Sequence, residues 1–401
     1  MKVRIATLSY YIWACLLILQ CQTMYAVHQN RLLWYVTLLV YSIGQCAFLI
    51  YETRIPSKLF QNTMLILGGY YGIEGVLLLR NLSENLSRDF ILLNLIALPV
   101  FIITLTLMIF RKELKDFLLA FNRIVVVFAV LSLFFWFFGS LLGILKPSGT
   151  VVNAWSGGNI VNSYYHLYYE TQRIGVMGFT FIRNSAFFTE GPMWNLIISL
   201  AFIIELFLLE ELSKWRLVVI LLTAATIFST TGIYVIGIGF LAHVLLVRKS
   251  RFRFLSLLAT PALVYALTRV IEDKAASNSA TIRMDDYVAG FNAWRNRLIT
   301  GWGFSGLGSI EYYMNGAIRP NYGYSNSFFV VLAQGGIIQG IVQFAPFMAL
   351  FAPGASTNRT KCAITLYFIL MLTTIFYNTM LFNVIAATAY AALINKITLN
   401  H

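Results

Sequence analysis

Apolar residues run in long stretches along this chain, separated by short polar segments that carry most of its charge. A helix needs about 20 consecutive apolar residues to cross a bilayer, within a range of roughly 17–25. On that measure the sequence predicts spans at 6–26, 32–51, 59–79, 89–110, 118–145, 187–209, 214–229, 231–247, 255–270, 327–351, 362–380 and 382–396. Asn378 and Asn383 interrupt the last two runs. The expected fold class is all-α: a polytopic transmembrane helical bundle of about 12 spans over a single domain, 1–401. Lys2 and Arg4 precede the first run as they would in a signal peptide. No clear small-x-small cleavage site follows, so the run reads as a retained first helix.

Composition strengthens this picture. Hydrophobic residues make up 59% of the 401 and charged residues only 11%, against about 25% charged in soluble domains. A globular core cannot hide that much apolar surface, so lipid is the expected solvent. The four cysteines, Cys15, Cys21, Cys46 and Cys362, lie inside apolar runs. Their spacing suits neither a disulfide framework nor a zinc site.

Charge then orients the bundle. With the N-terminus inside, the short inner segments hold Arg54/Lys58, Arg111/Lys112/Lys115, Lys214/Arg216, Arg248 to Arg253, Arg359/Lys361 and Lys396. This is the positive-inside distribution, and it puts both termini in the cytoplasm. The net charge of +13 is therefore mainly a topology signal and not a nucleic-acid footprint. Two long connections remain outside, 146–186 and 271–326. Loops on a rigid scaffold are where function usually sits.

The outer cations are mostly arginines, among them Arg183, Arg283, Arg295, Arg297 and Arg319. A guanidinium binds phosphate in bidentate fashion and gives up less hydration than an ammonium. An arginine-rich outer face thus suggests a phosphate or diphosphate headgroup as ligand; any one arginine is more easily explained by a loop or lipid contact, except Arg183 and Arg283, whose context favours the ligand. Arg183 immediately precedes a predicted span in which Thr189 is the expected N-cap and Pro192 falls in the first turn. The positive end of that helix and Arg183 together suit an anion. Glu190 at the same place either complements the dipole or takes part in catalysis.

Arg283 opens an expected amphipathic helix over about 282–298, with Tyr287, Phe291, Trp294 and Leu298 as its apolar stripe. Tyr164, Tyr165, Tyr168, Tyr169, Tyr312, Tyr313, Tyr322 and Tyr324 enrich the two loops. They are either an interfacial belt or a surface for sugar faces. His166 lies close in sequence to Glu170 and is a candidate base, though a lone loop histidine is more often incidental. Gly301-Trp-Gly303-Phe-Ser-Gly306 matches the dinucleotide pattern G-x-G-x-x-G but follows no predicted strand. A tight backbone turn is the better account.

Four stretches together resemble a known group. They are Arg183-Asn-Ser-Ala-Phe-Phe-Thr-Glu-Gly-Pro192, Ser229-Thr-Thr-Gly232, Ser279 to Arg283 through Trp294 to Gly306, and Tyr324-Ser-Asn326 followed by Gln334-Gly-Gly336. In order and topology, residues 180–345 resemble the bacterial O-antigen polymerase and ligase superfamily, the Wzy-type polymerases in particular. The resemblance implies a glycosyltransferase facing the periplasm from the inner membrane. It would polymerise undecaprenyl-diphosphate-linked oligosaccharide repeat units without metal, nucleotide or other cofactor. Its implied partners are the lipid-linked donor and acceptor glycans, the bilayer and a chain-length-regulator protein.

Arg183 and Arg283 would clamp the donor diphosphate. Glu190 joins them as a catalytic candidate. Arg295, Arg297, Arg319, Tyr324, Ser325, Asn326 and His166 form the candidate substrate-binding set. Ligases of the group carry a histidine where Ser325 stands here, which favours the polymerase and leaves the base open among Glu190, Asp285, Asp286, Glu311 and His166. Ligation remains the alternative within the class. Transport of a lipid-linked sugar is the alternative outside it, kept open by Arg123 and Glu205 inside predicted spans.

Overall fold

The computed structural model describes residues 5–28, 31–81, 87–176, 179–247, 278–304, 307–319 and 323–399. The predicted span 255–270 and the basic cluster 248–253 lie outside the described residues. Among the described residues, eight helices are long and apolar enough to cross a membrane: α3 (Arg31–Glu52), α4 (Ser57–Asn81), α5 (Arg88–Phe110), α6 (Leu114–Leu141), α7 (Gly191–Leu208), α9 (Thr230–Val247), α12 (Ser327–Phe351) and α14 (Met380–Leu399). The remaining helices are α1 (Ile5–Gln20), α2 (Met24–His28), α8 (Lys214–Ile227), α10 (Asn278–Asn296), α11 (Gly308–Glu311) and α13 (Asn358–Thr373).

Three predicted spans are therefore shorter than a full crossing, at 16 residues for α1, 14 for α8 and 16 for α13. Local chemistry ends α1 and α8 early. Phe228 takes a left-handed conformation (φ 53°) and Ser229 caps the next helix, while Gln22 (φ 53°) follows the end of α1.

The expectation of an all-α fold needs correction in the first long loop, which folds as two small antiparallel sheets. Strands β1 (Gly149–Asn153), β2 (Asn159–Tyr164) and β3 (Tyr168–Tyr169) form one; β4 (Arg173–Val176) and β5 (Phe179–Ile182) form the other. The β1–β2 turn is built by Gly157 and Gly158, with φ of 73° and 87°, and by the Asn153 side chain accepting from the Trp155 N–H.

The chain divides into two compact units. The first comprises Met1–Leu38, Lys115–Leu258 and Asn358–Leu370; the second comprises Leu39–Leu114, Ala259–Thr357 and Met371–His401. In the first, α7 is apolar all round and nearly every residue from Gly191 to Ile203 is buried, as a central helix requires. At its end Glu205, fully buried, accepts from Arg216 Nε (2.8 Å) and Nη2 (3.0 Å), from the Ser213 N–H (2.6 Å) and from Asn122 Nδ2 (2.9 Å). A buried carboxylate survives in a lipid environment because every lone pair is used.

In the second unit, α14 packs along α5, α12 and α4, and α10 packs on α12. Asn383 and Asn395 of α14 donate to the carbonyls of Leu93 and Thr106 in α5. Leu93 lies in a π-helical turn, Ile91–Ala97, which loosens the backbone ladder; Tyr70 and Tyr71 take the neighbouring carbonyls of Asn94 and Leu95.

Helix α12 is broken at Gly336 (φ 64°, ψ −159°). The chain at 298–303 fills the break. Trp302 and Gly303 N–H groups donate to the carbonyls of Ala333 and Gln334 (2.8 and 2.9 Å), and the carbonyls of Leu298 and Ile299 accept from Ile337 and Ile338 (2.8 and 3.2 Å). A break at membrane depth is tolerated only where its polar groups find partners, and here four backbone bonds supply them. The glycine-rich motif at 301–303 is thus a tight turn, with φ of 64° at Gly301 and 96° at Gly303. Arg80 Nη1 seals it by donating to the Gly301 carbonyl (2.9 Å).

Candidate functional site

Arg183 follows β5 and stands at the start of α7. Its N–H donates to the Gln172 carbonyl (3.0 Å), its Nε to the Ile227 carbonyl (2.9 Å) and its Nη1 to Gln172 Oε1 (3.2 Å). The same Oε1 accepts from the Gly191 N–H (3.1 Å), so one amide joins the guanidinium to the helix N-terminus. A Cβ on Gly191 would lie 3.0 Å from Arg183 Nε, which is why this position carries no side chain. Pro192 falls in the first turn as expected. Thr189 is not the N-cap. That position is Glu190, in extended backbone and without a side-chain capping bond. Buried Thr189 instead donates its hydroxyl to the Gln22 carbonyl (3.1 Å), because the adjoining bridge between Thr23 and Phe188 draws it away.

The second locus gathers on α10. Asp286 lies on the buried face of that helix with Ala289, Gly290 and Ala293, and this face meets Tyr324, Val330 and Ala333. The contact is backbone-close: a Cβ on Gly290 would lie 2.1 Å from the Tyr324 hydroxyl oxygen. The predicted aromatic stripe is consequently packed only in part: half-buried Tyr287 donates its hydroxyl to the Leu372 carbonyl (2.8 Å) and its ring meets Phe329. Phe291 is 43% exposed and Leu298 44%. Small residues won the interface because only they let α10 and α12 approach.

Around Asp286 the polar groups converge. Ser325 donates both its N–H (3.0 Å) and its hydroxyl (2.5 Å) to Asp286 Oδ2, and Arg319 Nη2 pairs with Oδ1. Arg319 Nε pairs with Asp285 (2.5 Å), its Nη1 reaches the Gly323 carbonyl (2.9 Å), and Nη2 also reaches the Ile282 carbonyl (3.1 Å). Its side chain is 1% exposed. Arg319 thereby staples the loop to α10, and the structure directs its fork inward, not to a ligand. Tyr324 is buried with its hydroxyl on the Asp286 carbonyl (2.9 Å), and Asn326 caps α12 by accepting from the Phe329 N–H (3.0 Å). Burial pushes the Asp286 carboxyl above its ordinary value, outweighing Ser325 and Arg319, which pull it down. Arg283, one turn before Tyr287 and half-buried, makes no hydrogen bond or ion pair among the described residues.

The other candidates fall elsewhere. Arg295 is exposed on α10, and Arg297 stacks 4.1 Å over the Trp302 ring. His166 is exposed in a left-handed conformation (φ 58°), with Nδ1 3.3 Å from the Tyr169 hydroxyl. Glu170 is engaged by Ser140, Asn162 and Tyr164 at 2.8, 2.8 and 2.9 Å. Tyr164, Tyr168 and Tyr169 are buried packing groups, whereas Tyr165 and Tyr312 are exposed. Gln172 was not legible as a site residue; no motif marks an amide that bridges an arginine to a helix start.

Residues 215–344 match the family model described as O-Antigen ligase. That segment holds α8 to α11 and most of α12, and with them Arg283, the Asp286–Ser325 pair and the Gly301–Gly336 joint. That match, over about a third of the chain, supports membership of the O-antigen polymerase and ligase superfamily. No curated protein and no solved structure matches it. The apolar helices suggest a multi-pass membrane protein, and the matched family is a bacterial membrane one that suggests a glycosyltransferase-like enzyme. Arg183 lies outside the matched segment.

Proposed function

We propose that this superfamily member is a polymerase, joining undecaprenyl-diphosphate-linked repeat units on the periplasmic face of the inner membrane. The observation that carries this reading is the Asp286–Ser325 pair. Ser325 occupies the position at which the ligase pattern has histidine, and the carboxylate accepting its hydroxyl replaces that imidazole as acid–base chemistry. An acceptor hydroxyl attacks the donor's anomeric carbon, the bond from that carbon to the diphosphate oxygen breaks, and the diphosphate leaves with the electron pair. The acceptor's proton passes to Ser325 Oγ as Ser325 gives its own to Asp286. Arg283, which makes no hydrogen bond or ion pair among the described residues, is the cation for the leaving diphosphate.

Ligation is the second reading, favoured by the description of the matched model. Transport loses its sequence-level motive, since Glu205 is paired with Arg216 and Arg123 donates to the Tyr11 hydroxyl (2.7 Å). The deciding experiment incubates purified protein with lipid-linked repeat units and no metal or nucleotide. A ladder of longer lipid-linked glycan supports polymerisation; transfer only to a different lipid acceptor supports ligation, and neither product sinks both readings.

A further inference from the structure

The second unit holds a partly open cavity of about 230 Å³ beside α5, α12 and the start of α14, lined by neither Asp286 nor Ser325. Five carboxamides line it: Asn94, Gln334, Gln339, Gln343 and Asn378. Gln339 and Gln343 are 3% and 2% exposed, and among the described residues neither side-chain oxygen accepts a hydrogen bond. A buried amide oxygen without a donor costs on the order of a lost hydrogen bond, so such atoms signal an absent partner. Gln343 Nε2 donates to Asn94 Oδ1 (3.2 Å), which fixes its oxygen as the end left to accept. The π-helical turn of α5 that contains Asn94 lies in the same wall. Fully buried Glu74 stands next to Gln339 and so backs the lining.

The rest of the lining narrows the ligand. Phe90 and Phe304 are stacked at 3.9 Å and, with Tyr377 and Phe382, give the cavity aromatic faces. Asp89 is the one charged side chain in the described lining, and its negative sign excludes a phosphate. Amides both donate and accept, as hydroxyl groups do, and aromatic faces suit the C–H side of a pyranose. The volume is below the roughly 300–1,000 Å³ of sites for larger ligands, which limits the occupant to about one ring.

We propose that this cavity is a binding site for a single neutral sugar residue, held by Gln339 and Gln343. It rests on the reading of the protein as a polymerase only in making that residue part of a repeat unit.

The test separates the two ideas by measuring binding without turnover. Purified full-length protein in lipid nanodiscs is titrated with methyl glycosides of glucose, galactose, rhamnose and N-acetylglucosamine. It is also titrated with the oligosaccharide released from the lipid-linked repeat unit used in the extension assay. Binding is read by saturation-transfer NMR. Wild type is expected to bind at least one probe saturably, and Gln339→Met and Gln343→Met to weaken it by about tenfold or more, the loss of one good hydrogen bond. Unchanged elution and melting of the two variants establish that they are folded; should Gln343→Met misfold, Gln343→Glu carries the comparison. No saturable binding by any probe, or equal binding by the variants, overturns the site. Sugar binding without ladder formation would retain the site and reject the polymerase; a ladder with unaltered binding in the variants would do the reverse.

Discussion

Replacing Gly336 with alanine probes the broken helix most directly. Gly336 sits at φ 64°, ψ −159°, a region open essentially to glycine alone, where another residue costs about 1–3 kcal/mol. The new Cβ would stand 2.2 Å from the Ile299 oxygen, 2.3 Å from the Ile299 carbonyl carbon and 2.6 Å from the Thr300 nitrogen. All three are backbone atoms, so the loop itself must leave. Its departure breaks the four bonds made by Trp302, Gly303, Ile337 and Ile338, each worth roughly 0.5–1.5 kcal/mol net. The sum is about 3–9 kcal/mol, comparable with the whole stability of many proteins, about 5–15 kcal/mol.

Detergent-purified protein followed by tryptophan fluorescence should melt on the order of 10 °C below wild type or fail to elute as a single species. Gly68→Ala is the matched control, since nothing lies within 4 Å of its Cβ and it sits inside α4. It should be neutral or stabilising by about 0.5–1 kcal/mol. A Gly336→Ala protein that melts within about 2 °C of wild type would show that α12 runs unbroken and that the glycine turn does not dock there.

Arg283→Ala is expected to abolish chain extension while leaving the melting temperature unchanged, and Arg283→Lys to restore little, because charge alone does not reproduce a bidentate fork; normal extension by both variants would reject the diphosphate role. Arg319→Ala should behave oppositely, lowering stability by about 3–5 kcal/mol through the unpaired Asp285 and Asp286, as thermal melting would record. Glu205→Gln leaves Arg216 without its carboxylate at the end of α7 and should cost up to about 3–5 kcal/mol, seen as reduced yield and melting temperature with no change in substrate affinity. For Asp286 the folded carboxyl holds its proton above the ordinary value of 3.8, so the folded state binds more protons than the unfolded one from that value up to the folded one. Its contribution is most favourable below 3.8 and declines as pH rises through the folded value. Raising pH from about 4 to about 6 should therefore lower the wild-type melting temperature relative to Asp286→Asn; a widening in wild type's favour contradicts the assignment.

Hydropathy made the long helices legible, because a bilayer demands unbroken apolar runs and α5, α6 and α12 have them. It could not set where α8 stops, which depends on a single residue, Phe228, in a left-handed conformation. The β-structure of the first loop was hidden for a different reason. Its strands are short, and Val152 pairs with Ile160 on an exposed face, so no buried-exposed alternation announces them. In the candidate site, arginines and acids could be named but not partnered. Ser325 meets Asp286 across 39 residues, and no local periodicity encodes that distance. The stripe on α10 was read from size, favouring Phe291 and Trp294, whereas close helix approach selected Ala289, Gly290 and Ala293. The glycine turn was readable because positive φ at Gly301 and Gly303 needs only the residue type.

The joint between the 298–303 turn and α12 also imposes an order on biogenesis. Synthesis runs from the N-terminus, so the plug leaves the ribosome before the helix that it completes. Helix α12 on its own would enter lipid with the Ala333 and Gln334 carbonyls and the Ile337 and Ile338 amides bare, a state the bilayer penalises by several kcal/mol per group. The two halves of that helix therefore mature as one step with the preceding segment already folded back against them. Membrane insertion and the docking of the 298–303 turn are a single event for this part of the chain.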